Sequence, residues 1–223
     1  MRYYENGDLY SYLEESMELL CWRDIVEILW SISAGLESIH EHDLVHGYLH
    51  GGNILIESEM DSDTKIVAIA DTGLHGPVDK QISSEQIYGV IPFVAPEVLD
   101  GNAISKESDI YSFGMIMWML SAGIRPYKDR PHDKQLIQEI CSGLRPNVID
   151  GTPPCLGNWF TAICDSTDPS ELLKQFDTAE DIKFASLENF IHNNVPSHEK
   201  AIYISRPLNS LNTTEPPTIP EKN

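Results

Sequence analysis

Residues 44–55 read Leu-Val-His-Gly-Tyr-Leu-His-Gly-Gly-Asn-Ile-Leu, LVHGYLHGGNIL. The stretch has the make-up of a catalytic loop, yet Tyr48 stands where such a loop would use a carboxylate. What surrounds it decides how it folds. Upstream, from Asp24 to His40, Ile25, Ile28, Leu29, Ile32, Leu36 and Ile39 recur at helical spacing, which predicts a long amphipathic helix. Before that helix, ENGDLYSYLEES carries turn chemistry at Asn6-Gly7 and a short helix opened by Asp8. Downstream, Asn53 to Ile56 and Lys65 to Ile69 are two short β-type runs, and the polar stretch from Glu57 to Thr64 joins them as a hairpin.

Further along, about 25 residues rich in Gly, Ser and polar side chains form a loop, and loops that long usually carry function. Glu107 to Ser121 reads as a helix buried on all sides, and Asp133 to Cys141 as another, ended by Gly143. Beyond Pro153 the character changes. Leu172 to Asn193 keeps weak helical periodicity, and SRPLNSLNTTEPPTIPEKN at the end buries little, so it is expected to be disordered. The expected division is residues 1–152 as one domain and 153–223 as an extension.

Composition narrows the possibilities. The 223 residues suffice to bury a real core. A formal charge of −20 argues against nucleic acid, since little here would neutralise phosphates, and it disfavours anionic membrane surfaces. The longest apolar run, around Tyr111 to Gly123, is too short to span a bilayer. Cys21, Cys141, Cys155 and Cys164 form no C-x-x-C pair, and with no signal peptide visible they read as reduced thiols in a cytoplasmic protein.

Four stretches in order resemble the C-terminal lobe of a eukaryotic protein kinase, over residues 1 to about 150. VHGYLHGGNIL resembles the catalytic loop H-R-D-L-x-x-x-N, IADTGL the D-F-G magnesium motif, and FVAPEVL the A-P-E motif. SDIYSFGMIMWML is similar to the central buried helix, and MRYYENGDLYSYL to the hinge with the helix after it. His50 and YGVIPFVAPEVL are closest in style to the tyrosine-kinase-like branch. The resemblance implies a mainly α fold, a protein-kinase-like C-terminal lobe with a short β-hairpin, with the N-terminal lobe absent because the chain begins at or just before the hinge. The Gly-rich loop, the strand Lys and its helix Glu would then be missing, and with them the phosphate cradle.

The resemblance also implies roles. Asp71 would bind Mg²⁺ bridging the phosphates of ATP and Asn53 a second ion; a turn cap at Asn53 and a strand end at Asp71 are the plainer readings. Leu55, flanked by Ile54 and Ile56, would floor the adenine, Asp8 would face the ribose, and the backbone at Tyr3 and Tyr4 would be hinge. Core packing accounts equally well for Leu55, and helix capping for Asp8. His46 reads as a packed, hydrogen-bonded structural residue.

The departures from the motif matter as much. Tyr48 replaces the Asp that accepts the substrate's proton, and a phenol with a pKa near about 10 is neutral at pH 7. Gly47 replaces the Arg that would pair with a phosphorylated loop carrying Ser83, Ser84 or Tyr88, and Thr72 replaces the Phe of the magnesium motif. Glu97 is expected to lack its family Arg partner. His40, His42, His46 and His50 cluster as zinc ligands can, but the first two suit a helix C-terminus and the last two match motif positions, so zinc is disfavoured. Three functions stay open: an impaired kinase-like protein that binds nucleotide or signalling partners, a kinase with residual activity given an N-terminal lobe, and an interaction scaffold without nucleotide.

Overall fold

The residue pattern from Ser105 onward dictates the centre of the molecule. Ser105 and Ser108 close a reciprocal capping box, which starts helix α4 (Lys106–Ala122), and Gly123 ends it at a φ of 66°. In between, every residue from Ser112 to Ala122 is buried, so that part of the helix has no solvent face, while Glu107 and Ile110 in its first turns are exposed. Its hydroxyls are satisfied locally: Ser112 Oγ donates to the Phe93 carbonyl at 2.6 Å and Ser121 Oγ to the Met117 carbonyl at 2.9 Å.

The computed structural model describes residues 4–16, 20–58, 65–71, 87–154, 174–183, 185 and 196–208. Around α4 stand α1 (Leu9–Ser16), α2 (Trp22–Glu41), α3 (Pro96–Leu99) and α5 (Lys134–Cys141). An antiparallel hairpin, β1 (Ile54–Ser58) and β2 (Lys65–Ile69), pairs Ile54 with Ile69 and Ser58 with Lys65. The helices expected before Pro153 and the two hairpin strands are present, with α2 extended to Trp22 and Glu41. Of the stretch expected from Leu172 to Asn193, residues 172–173, 184 and 186–193 lie outside the described residues. Trp22, Ile25, Ile28, Leu29, Ile32 and Leu36 bury one face of α2, while Trp30 on the other is 73% exposed.

Two apolar clusters result. The larger joins α1, α2, Ile54 and Ile56 of the hairpin, and α4. The smaller joins Val94, Ala95, Val98 and Leu99 to Leu136, Ile137 and Ile140 of α5. Residues 174–183 are helical and lie on the start of α2: Glu180 accepts from the Trp22 backbone N–H at 2.9 Å, and Phe176 packs edge-on to the Trp22 ring.

One expectation is corrected. The tail expected to be disordered from Ser205 is held in place at its beginning. Strand β4 (Arg206–Pro207) pairs antiparallel with β3 (Tyr88–Gly89), and Leu208 is buried in the smaller cluster. Composition reads that segment as too polar to fold alone, and it folds by adding to an existing edge. No helix among the described residues is long and apolar enough to cross a membrane.

Candidate functional site

The loop of residues 44–53 is shaped by a buried carboxylate. Asp109, in the first turn of α4, accepts from the His46 backbone N–H at 2.7 Å, from the Gly47 N–H at 2.8 Å and from His40 Nε2 at 2.9 Å. An ionised carboxylate facing several donors is a strong hydrogen-bond acceptor. It pulls the loop onto the helix and ties both to the end of α2. Gly47 takes a φ of 81° there, a conformation that a side chain resists.

His46 is buried and its ring bridges the loop and the end of β2. Nδ1 accepts from the Tyr48 N–H at 3.3 Å, which assigns the proton to Nε2, and Nε2 donates to the Ala70 carbonyl at 2.8 Å. Ala70 in turn donates its N–H to the Asn53 carbonyl at 2.8 Å. The residue before Asp71 is thus clamped from both sides, and Asp71 leaves the hairpin at a φ of 59°, uncommon for a residue other than glycine. Its carboxylate is exposed, beside the end of the hairpin that also carries Asn53.

Asn53 is buried, and its Nδ2 donates to the Tyr48 carbonyl at 2.9 Å. Asn53 Oδ1 and the Asp71 carboxylate are oxygens of the kind a hard cation takes. Tyr48 is half-buried. Burial first, and then the neighbouring Tyr88, push its phenol above the usual range. His50 is buried, accepts from the Gly52 N–H at 3.0 Å through Nδ1, and is held down at about 4, by burial first and then by His46 nearby. It is neutral at pH 7.

Other site residues expected from the sequence fall nearby with mixed duties. Asp8 Oδ1 accepts from the Ser11 N–H and the Ser11 hydroxyl, both at 2.8 Å, which caps α1, and its backbone bridges to Leu55. Leu55 faces away from the core and is partly exposed, whereas Ile54 and Ile56 are wholly buried and so form no part of an adenine floor. The Tyr4 carbonyl accepts from the Gly7 N–H at 3.1 Å and closes the first turn. Tyr3, Thr72, Ser83 and Ser84 lie outside the described residues.

The histidines that could have formed a zinc site bond elsewhere, His42 to the Ser38 carbonyl and the others as above. Among the described residues no group of three or more His, Cys, Asp or Glu side chains stands close enough to hold a metal. Glu97 is partly exposed and lies against Tyr111, whose phenol is pushed up to about 12, by burial first, with Arg145 opposing and Glu97 adding to the shift. Sequence reading passed over Asp109, whose only signal is an acid at the start of an otherwise apolar helix.

Loop, hairpin and buried helix together belong to a protein-kinase-like domain. A family model described as protein tyrosine and serine/threonine kinase matches residues 1–174, and the chain belongs to that family. The probable serine/threonine-protein kinase roco8 of Dictyostelium discoideum is 32% identical over 178 residues, 76% of this chain and 9% of that protein. Cyclic GMP-binding protein C of the same organism is 30% identical over 168 residues, 69% of this chain and 6% of that protein. Mitogen-activated protein kinase kinase kinase 13 of Homo sapiens is 30% identical over 129 residues, 58% of this chain and 13% of that protein. The chain therefore spans between 6% and 13% of the length of these relatives.

Proposed function

We propose that this chain is a protein-kinase domain of the tyrosine-kinase-like branch that holds magnesium nucleotide and protein partners in cytoplasmic signalling, and transfers phosphate poorly. The observation that carries the reading is Tyr48. The proton-accepting position of the loop holds a phenol whose surroundings raise its pKa further, so at pH 7 it keeps its proton. Loss of a general base costs on the order of 10² to 10⁴ in rate.

What binds is a separate matter from what reacts. Asn53 Oδ1 and Asp71 would hold the cation, and Leu55, the Asp8 region and the turn at Tyr4 would face the nucleotide. When bound, magnesium supplies neutralisation of the phosphate charge. The chain's own part is positioning: His46 and Asn53 fix Ala70, and so the direction in which Asp71 leaves the strand.

A second reading is favoured by the same bonds. Asp8 caps a helix and Asn53 closes the loop without any ligand, which suits a scaffold that binds no nucleotide. Titration calorimetry of ATP into the chain, with and without Mg²⁺, separates the two. Magnesium-dependent binding that weakens by about tenfold or more in Asp71→Ala supports the nucleotide site; binding indifferent to Mg²⁺, or none, supports the scaffold. Turnover within the roughly 1–100 s⁻¹ typical of protein kinases would overturn the impairment. Residual transfer, where present, should be unchanged in Tyr48→Phe, because the phenol is not its base.

A further inference from the structure

The chain lays part of itself across its own loop. From a turn at residues 198–201 the chain runs past the segment that follows α4, past His50, and onto the edge of β3 as far as Leu208. Hydrogen bonds along its length fix the path. The His198 N–H donates to the Lys128 carbonyl at 2.7 Å, the His132 N–H to the Lys200 carbonyl at 2.9 Å, and the Ile202 N–H to His132 Nδ1 at 3.1 Å. The Tyr203 hydroxyl donates to the Pro126 carbonyl at 2.8 Å. Arg206 donates to the His132 carbonyl at 2.5 Å and the Leu208 N–H to the Ile87 carbonyl at 2.7 Å.

The remaining bond is the telling one. His50 Nδ1 is an acceptor, so its proton sits on Nε2, and that N–H donates to the Ser205 hydroxyl at 2.9 Å. A hydroxyl carried on an extended segment therefore stands two residues beyond Tyr48, at the loop itself. The anchors on either side differ in kind. Tyr203 is buried edge-on to His132 at 4.8 Å and to Tyr10 at 5.8 Å, with the Arg125 guanidinium 5.2 Å from its ring centre, whereas Ile204 is 76% exposed. Leu208 is wholly buried in the smaller core. Tyr203 and Leu208 are buried at the two ends with Ser205 exposed between them, and the two-residue strand Arg206–Pro207 adds to the edge of β3, as extended peptides do in strand addition.

We propose that this groove binds an extended peptide of the pattern aromatic-x-Ser-Arg-Pro-aliphatic, and that residues 198–208 are its occupant in cis, excluding such a peptide in trans. The proposal rests on the kinase-like reading only for the place of the loop. Its test measures peptide binding, so it stands or falls separately from magnesium nucleotide binding. A tethered occupant competes at an effective concentration in the millimolar range for a short linker, which masks micromolar binding from solution.

The experiment uses the full chain and a fluorescein-labelled synthetic peptide of sequence HEKAIYISRPL, followed by polarisation. Wild-type chain and Ile204→Ala should bind it weakly. Tyr203→Ala and, independently, Arg206→Ala in the chain should bind it at least about tenfold more tightly. In the same variants, amide exchange of residues 87–91 should rise. A labelled peptide carrying Tyr203→Ala should lose the gain. Equal affinity for wild type and both folded variants overturns the proposal, as does exchange of residues 200–208 in the wild type at unprotected rates. Arg206→Ala leaves both apolar cores untouched, so it and the wild-type exchange decide the matter even where Tyr203→Ala fails to fold.

Discussion

Asp109 accepts hydrogen bonds from the His46 and Gly47 N–H groups and from His40, and replacing its carboxylate would be felt at all three. In Asp109→Asn the amide NH2 replaces one of the two oxygens, so a donor faces either the Gly47 N–H or the His46 N–H together with His40. A buried donor left unpaired costs about 1–3 kcal/mol, and hydrogen bonds to a charged group are individually worth about 1.5–3. A loss of about 3 kcal/mol is expected in urea denaturation, at an unchanged dependence on urea. His50 gives a second residue-level expectation. Its folded value of about 4 lies below the ordinary 6.5, so the unfolded chain binds the proton first as acid is added. The stability is fully present above pH 6.5 and is lost as pH falls through that window to about 4, by up to about 3 kcal/mol. Because carboxylates titrate in the same range, the measurement is the difference between wild type and His50→Gln. The wild type should lose more stability than the variant between pH 7 and pH 4; parallel loss would remove His50 from the account.

At the scale of elements, what the sequence made legible was whatever periodicity or a turn signal marks. The stripe from Ile25 to Leu36 has one solution, a helix with a buried face, and the hairpin runs on either side of a polar connector have another. Asn53 and Asp71 were singled out through the motif resemblance alone, and the register of the hairpin brings them to one end. Three things were not. Asp109 reads as a favourable acid near a helix N-terminus, and only the contact across 63 residues reveals its grip on the loop. Ile54 and Ile56 were expected beside Leu55 under a nucleotide, but strand alternation sends them to the opposite face. Strand β4 is two residues long, too short for any period, and its order comes wholly from distant partners. The ends of α4 are set by caps rather than by periodicity, which gives the element-level prediction. Ser105 supplies one half of a reciprocal box at the start of the most buried helix, so Ser105→Ala should lower stability by about 1 kcal/mol in thermal or urea melts. Ser33, whose hydroxyl bonds only the Trp30 carbonyl within the exposed side of α2, should tolerate the same change.

For the whole molecule the decisive quantity is charge. With 15 Lys and Arg against 35 Asp and Glu, pairing every cation once would still leave 20 carboxylates without one. The ion pairs that do form divide by exposure. Lys65–Asp24, at 2.6 Å with both side chains mostly covered, is weakly screened, whereas Lys106–Asp43 is largely exposed and Arg130–Glu139 partly so. Exposed pairs contribute about 0–1 kcal/mol each, and screening them costs little. Repulsion among the surplus carboxylates acts over the whole surface and is screened as the Debye length falls from about 30 Å at 0.01 M to about 8 Å at 0.15 M. The repulsive term should win, so adding NaCl over that range should raise the melting temperature, by a few degrees for roughly 1 kcal/mol in a chain of this size. The buried pair gives the internal control. Lys65→Met should lower stability by a similar amount at both salt concentrations, because water and ions reach that pair poorly. A melting temperature that falls with NaCl would mean that attraction between the few cations and their partners outweighs the surplus negative charge.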